Sequence, residues 1–156
     1  MQDAVSEKDV EQSLKLWVVL SRAFDAVQAH AMADVARHGL TITEFGVMEA
    51  LYHKGPLMLG EVQRKILVTS GGVTYLIDRL AAKGLVERRR CEKDRRAYYA
   101  ALTPDGEALI REIFPRHAAA IDRALGGLHP AEKEQAITLM RTLGRHAAET
   151  PKCCGE

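Results

Sequence analysis

The chain has 156 residues, 47% hydrophobic and 28% charged, with a formal net charge of +1, a composition that suits one globular domain and excludes a disordered or low-complexity chain. Aromatic residues make up only 5%, so long aliphatic helices are expected to supply the core, in place of an aromatic β-sandwich. No apolar run approaches the roughly 18 residues of a membrane span, the N-terminal MQDAVSEKDVEQ lacks the apolar region of a signal peptide, and Cys91, Cys153 and Cys154 are too few and too oddly placed for a secreted disulfide framework. A cytoplasmic location with no membrane partner is the expectation.

The first element is one long helix, over residues 7–38. Leu14, Trp17, Leu20, Phe24, Val27, Ala31 and Val35 recur at helical spacing, and neither Pro nor Gly interrupts them. About thirty residues at 1.5 Å each reach about 45 Å, longer than a small domain is wide. Part of its apolar side must therefore be covered from elsewhere, and a second copy of the chain is the expected supplier; packing wholly within one subunit is the competing reading.

Gly39 and Leu40 close that helix, and Thr41-Ile42-Thr43-Glu44 opens the next as a capping box. Phe45, Val47, Met48, Leu51 and Tyr52 form its buried side, and His53-Lys54-Gly55-Pro56 ends it. Leu57 to Leu59 suits a short strand. Glu61, Val62, Ile66 and Leu67 carry a short helical pattern that runs into the turn-prone Val68-Thr69-Ser70-Gly71-Gly72.

A second helix follows, with Val73, Leu76, Ile77 and Leu80 on one face and Gly84 where a left-handed cap belongs. Two strand-like runs, residues 85–90 and 97–102, flank the charged tip Cys91-Glu92-Lys93-Asp94-Arg95-Arg96. Helix, turn, helix, hairpin is the order of a winged helix-turn-helix, over residues 41–102. Between Leu57 and Leu102 there are ten basic residues (Arg64, Lys65, Arg79, Lys83, Arg88, Arg89, Arg90, Lys93, Arg95, Arg96) against five acids (Glu61, Asp78, Glu87, Glu92, Asp94), which gives +5 and leaves −4 for the remainder of the chain. A basic module on a mildly acidic scaffold points to double-stranded DNA as partner; an ordinary solvated charge run is the bland alternative.

Within that module the outward face of the second helix shows Gly71, Thr74, Tyr75, Asp78 and Arg79. Thr74 suits a thymine methyl or a phosphate, Tyr75 a phosphate or the groove edge, and Arg79 guanine or backbone. Ser70, Gly71 and Gly72 at its start would let the backbone approach a phosphate, or merely cap and turn the chain. In the tip, an acid two residues before an arginine is expected to hold the Arg96 guanidinium outward for a narrow minor groove, with a solvated hairpin tip as the alternative.

The run SGGVTYLIDRLAAKGLVERRRCEKDRRAYYAALTPDG resembles the MarR family of bacterial winged-helix regulators: small-residue turn, Val-Thr, Leu-Ile-Asp-Arg-Leu, Lys-Gly-Leu-Val-Glu-Arg, Asp-Arg-Arg, then Leu-Thr-Pro-Asp-Gly. The resemblance extends to the long flanking helices and covers nearly the whole chain as a single domain, 1–156. It implies a mainly α fold with a small β-hairpin wing, and a homodimer on a palindromic operator that usually represses and is often released by small aromatic or anionic ligands. By position, Asp94 and Arg96 match the family's wing pair, and Ser70, Thr74, Tyr75 and Arg79 fall on its recognition helix; Lys93 and Arg95 complete the tip.

After the wing, Thr103 caps a helix that Pro104 starts. Leu109, Ile110, Ile113, Ile121 and Leu125 lie on one side, and Pro115 is expected to kink or split it before Gly126-Gly127 ends it. A last helix runs from Pro130 to about Ala148, with Glu132 and Glu134 near its start and Arg141, Arg145 and His146 near its end. Residues 104–148, with 7–38, are expected to form the dimer core, and 149–156 a tail.

No enzyme constellation is present: six scattered histidines show no metal-ligand rhythm, and no Ser-His-Asp or Walker-type loop appears. Neither cofactor nor metal is expected, and surface or cap roles are expected for the histidines. Regulators of the resembled kind often hold an effector between the long helices and the winged module; Trp17, Phe24, Phe45, Tyr52 and His53 are the candidates for such a cleft, with core packing the competing role for each. A thiol- or metal-responsive switch through Cys91, which basic neighbours would activate, or through Cys153 and Cys154 is an alternative, although the family's peroxide sensors carry their cysteine near the start of the first helix and this chain has none there. A winged-helix protein-interaction module without specific DNA binding is the reading from another class.

Overall fold

The computed structural model describes residues 6–66, 70–92, 94 and 96–152, with the side chain of Ser70 left outside that set. Among them are six helices and three strands: α1 (Glu7–Ala36), α2 (Ile42–Lys54), β1 (Leu57–Met58), α3 (Leu59–Ile66), α4 (Ser70–Ala82), β2 (Val86–Arg90), β3 (Tyr98–Leu102), α5 (Pro104–Ala124) and α6 (Pro130–Glu149). This is the mainly α winged helix-turn-helix expected from the sequence. The sheet order is β1-β3-β2, antiparallel throughout, with Leu57 opposite Ala100 and Val86 opposite Leu102.

Local chemistry sets the boundaries. Thr41 and Glu44 close the expected capping box at the start of α2: the Glu44 N–H donates to Thr41 Oγ1 at 3.1 Å, and the Thr41 N–H donates to Glu44 Oε2 at 2.8 Å. After α4 the chain reverses at Gly84 with φ of 72°, a backbone that residues with a Cβ rarely adopt. Thr103 joins this turn to α5, donating from Oγ1 to the Gly84 carbonyl at 2.6 Å and accepting from the Gly106 N–H at 3.0 Å. A Cβ on Gly106 would lie 1.9 Å from the Leu85 carbonyl oxygen. Glycine there lets the start of α5 lie directly against the backbone that leads into the wing.

The core gathers Val35 of α1, Phe45, Val47, Met48 and Leu51 of α2, Val62 of α3, Val73, Leu76, Ile77 and Leu80 of α4, Val86 and Ala100 of the sheet, and Ile110 and Ile113 of α5. The side of α4 selected by three- and four-residue spacing is therefore the buried one. In α1 only Ala31 and Val35 are buried; Leu14, Trp17 and Phe24 are 61%, 65% and 59% exposed.

Two expectations are corrected. Pro115, expected to kink or split α5, does not split it: the helix continues to Ala124. Arg111, whose carbonyl loses its partner, and Pro115 are both exposed, so water can replace the missing donor. His117 is no surface histidine. It is buried, its ring centroid 4.4 Å from that of Phe45, and its Nδ1 lies 3.3 Å from Asp34 Oδ2 on α1.

From Asp122 onward the chain forms a second compact unit. In it, α6 opens with the His129 N–H donating to Glu132 Oε2 at 2.7 Å, and Lys133 pairs with Asp122 at 3.0 Å. No residue of α6 is buried, and Ile137, Leu139 and Met140 are exposed.

Candidate nucleic-acid interface

With Val73, Leu76, Ile77 and Leu80 turned into the core, α4 presents Gly71, Thr74, Tyr75, Asp78 and Arg79 outward, and all five are exposed. A Cβ on Gly71 would meet nothing within 4 Å. Internal packing thus does not require glycine at that position, although glycine costs up to about 1 kcal/mol of helix propensity relative to alanine.

The outward polar residues are held from behind. Glu44 is wholly buried beneath α4. Its Oε2 accepts from Lys83 Nζ at 2.9 Å as well as from the Thr41 N–H, and Lys83 also donates to the Gly39 carbonyl at 2.8 Å. Its Oε1 faces Arg79 Nε at 3.0 Å, an ion pair that lacks the alignment of a hydrogen bond. Burial pushes the Glu44 carboxyl up, but the Thr41 N–H, Lys83 and Arg79 together outweigh it and hold the group below the ordinary glutamate value. Arg79 in turn donates from Nη1 to the Tyr75 hydroxyl at 3.3 Å, with its guanidinium 5.7 Å from the Tyr75 ring centre. The Tyr75 hydroxyl first, and Glu44 after it, raise Arg79 above the usual arginine value. Asp78 pairs with Arg88 of β2 at 2.6 Å, joining α4 to the wing.

At the tip, the backbone hydrogen bond from the Cys91 N–H to the Ala97 carbonyl closes the hairpin at 3.0 Å. Asp94 accepts at Oδ1 from the Arg96 backbone N–H at 2.9 Å, not from its guanidinium as expected. A short acidic side chain two residues ahead reaches the main chain more readily than the end of a long side chain. Asp94 thus shapes the loop, and Arg96 extends from it exposed. Lys93 and Arg95, and Cys153 and Cys154 of the tail, lie outside the described residues.

The five candidate effector residues do not form one cleft. Phe45 is core, 1% exposed, while Trp17 and Phe24 stand on the open side of α1. Tyr52 and His53 meet Phe114 of α5, with ring centroids 6.5 and 5.0 Å away. An open cleft of about 520 Å³, which takes in only His53 of the five, runs between α2 and α3, with Ile42, Ala50 and Ile66 as its apolar lining, Lys54 and Lys65 as basic groups and Glu49 as an acidic one. Cys91 is a free, half-buried thiol that raises the neighbouring Tyr99 hydroxyl above its ordinary value. Among the described residues no group of three or more His, Cys, Asp or Glu could hold a metal ion.

Sequence reasoning placed the outward residues of α4 but missed the charge centre behind them. Glu44 was legible only as a cap, because Arg79 and Lys83 lie more than thirty positions away and no periodicity links them.

Comparison with known proteins agrees with this geometry. The model of the MarR family matches residues 38–97. The HTH-type transcriptional regulator YkoM of Bacillus subtilis (strain 168) is 40% identical over 94% of this chain and 96% of its own. For MhqR, another HTH-type transcriptional regulator of that organism, identity is 41% over 89% of this chain and 96% of its own. Among solved structures, Bordetella bronchiseptica BpsR, whose DNA binding is regulated by 6-hydroxynicotinic acid, has a TM-score of 0.74 at 31% identity, covering 81% of this chain and 90% of that one. An outward-facing polar helix α4 tied to a basic wing, together with relatives aligned along almost the entire chain, makes this protein a member of the MarR family of winged helix-turn-helix DNA-binding transcriptional regulators.

Proposed function

We propose that the protein acts as a homodimer that grips a palindromic operator, represses transcription there, and is released by a small aromatic anion. The observation that carries this reading is the exposed face of α4, with Thr74, Tyr75 and Arg79 outward and Asp78 tied to the wing that bears Arg96. A helix and a hairpin joined in this way suit a major groove and the adjoining minor groove, with two copies set about 34 Å apart, one turn of B-form DNA. The open surroundings of Gly71 suit close approach of the α4 N-terminus to a phosphate.

Dimerisation is supported by the apolar side chains that one copy leaves uncovered, Leu14, Trp17 and Phe24 on α1 and Ile137, Leu139 and Met140 on α6. A dimer covering two successive grooves excludes other proteins from that stretch, so repression is the expected output. The cleft between α2 and α3 suits an aromatic acid, because its apolar lining takes a ring and Lys54 and Lys65 outnumber its one carboxylate, Glu49. The regulation of BpsR by 6-hydroxynicotinic acid favours that chemical class.

Selection of bound sequences from a random DNA pool tests the reading. An inverted repeat with half-sites about ten base pairs apart is expected, and aromatic acids should then displace the protein from it. Recovery of no common sequence would defeat the proposal.

A further inference from the structure

A guanidinium carries five N–H donors and no lone pair. In the contact between Arg79 Nη1 and the Tyr75 hydroxyl at 3.3 Å, the tyrosine oxygen is therefore the acceptor. A phenol that accepts at its oxygen keeps its own proton for another partner. Tyr75 is 59% exposed on the outward side of α4, and no acceptor for that proton is found among the described residues.

Surface arginines and tyrosines ordinarily sample several rotamers, but this pair has a buried anchor. Glu44, 0% exposed, is fixed by the Thr41 N–H and by Lys83, and its Oε1 meets Arg79 Nε at 3.0 Å. Arg79 is thereby held from two sides by its own chain, through the Nη1 hydrogen bond to Tyr75 and the ion pair of Nε with Glu44.

We infer that Glu44, Arg79 and Tyr75 form a fixed relay that presents the Tyr75 hydroxyl as a hydrogen-bond donor to a base acceptor in the major groove, with Tyr75 the specificity-determining residue of α4 and Glu44 and Arg79 its positioning residues. The base is one with an exposed acceptor, such as guanine O6 or N7 or thymine O4, and not cytosine, which offers a donor at that edge. The inference rests on the operator-binding reading above.

The test compares the wild-type protein with Tyr75→Phe, Glu44→Gln, Arg79→Lys and the Glu44→Gln/Tyr75→Phe double variant. Each is first checked for folding by thermal melting, then assayed by pool selection and by titration against single-base variants of the selected operator. Gln retains an acceptor for the Thr41 N–H, and Arg79→Lys keeps the charge at an exposed position without the fork, so that a buried change is not the only probe. At one base pair per half-site a preference of about tenfold is expected in the wild type. All three single variants should flatten that same position, with the double variant no worse than the weaker single one. Preserved preference in Glu44→Gln and Arg79→Lys, multiplicative losses in the double variant, or a uniform loss in Tyr75→Phe across all sequences, which marks a phosphate contact, would each overturn the relay. A wild type with no sequence preference at all would defeat the operator reading and the relay with it, whereas the other negative outcomes leave that reading standing.

Discussion

Asp78 Oδ1 lies 2.6 Å from Arg88 Nη2, bridging α4 and the first wing strand β2. Both partners are substantially exposed, Arg88 by 34% and Asp78 by 61%. Solvent-screened pairs of this kind contribute about 0.2–1 kcal/mol. Asp78→Ala is expected to lower the melting temperature by about 1–3 °C, less at high salt. A loss several times larger, or one insensitive to salt, would show that the bridge does more than join two surfaces.

Glu44 makes stability depend on acid. In the unfolded chain it titrates near the ordinary glutamate value of 4.5, and in the folded protein below it. The stabilisation is therefore present above pH 4.5 and is lost as pH falls through the lower folded value. Denaturation midpoints of wild type and Glu44→Gln should differ at pH 7 and converge toward pH 3. A gap that stays constant over that range would mean the carboxylate is not held by its cations. Glu44→Ala, which also removes the cap, is expected to cost about 2 kcal/mol.

Gly106 has no room for a side chain, since its Cβ would sit 1.9 Å from the Leu85 carbonyl oxygen. Gly106→Ala must push α5 away from the Leu85 backbone that leads into the wing, at a cost of about 2–3 kcal/mol. Chemical denaturation measures this. Wild-type stability in the variant would disprove the close approach.

Arg96 extends from a loop that Asp94 braces through the main chain. Arg96→Ala should weaken operator binding and reduce the slope of log affinity against log salt by about 0.9, the share of one phosphate contact. Asp94→Ala should weaken binding while leaving the slope nearly unchanged, because it loosens the loop without removing a cation. Equal slopes in wild type and Arg96→Ala would place the wing away from DNA.

Trp17 and Leu14 are 65% and 61% exposed on α1. Leu14→Asp with Trp17→Glu should convert the proposed dimer to monomer in light scattering at micromolar concentration and lower operator affinity at the same time. A wild type that is itself monomeric under those conditions would remove dimerisation from the proposal.

The order of elements was legible in the chain because each depends on neighbours within a few residues. Three- and four-residue spacing named the buried side of α4, Thr41 and Glu44 marked the start of α2, and Gly84 marked the turn into the wing. What the tertiary structure alone decided is where distant charges meet. Glu44 joins Arg79 and Lys83, Asp78 joins Arg88, and Asp94 spends its carboxylate on the loop backbone and not on the Arg96 guanidinium. Phe45 took the core place that its helical spacing had given it, whereas His117 left its expected surface role to pack against it. Periodicity reports which side of an element avoids water. Electrostatic pairing depends on the distance between elements, which no local pattern carries, and so the outward face of α4 was visible in the sequence while the charged groups behind it were not.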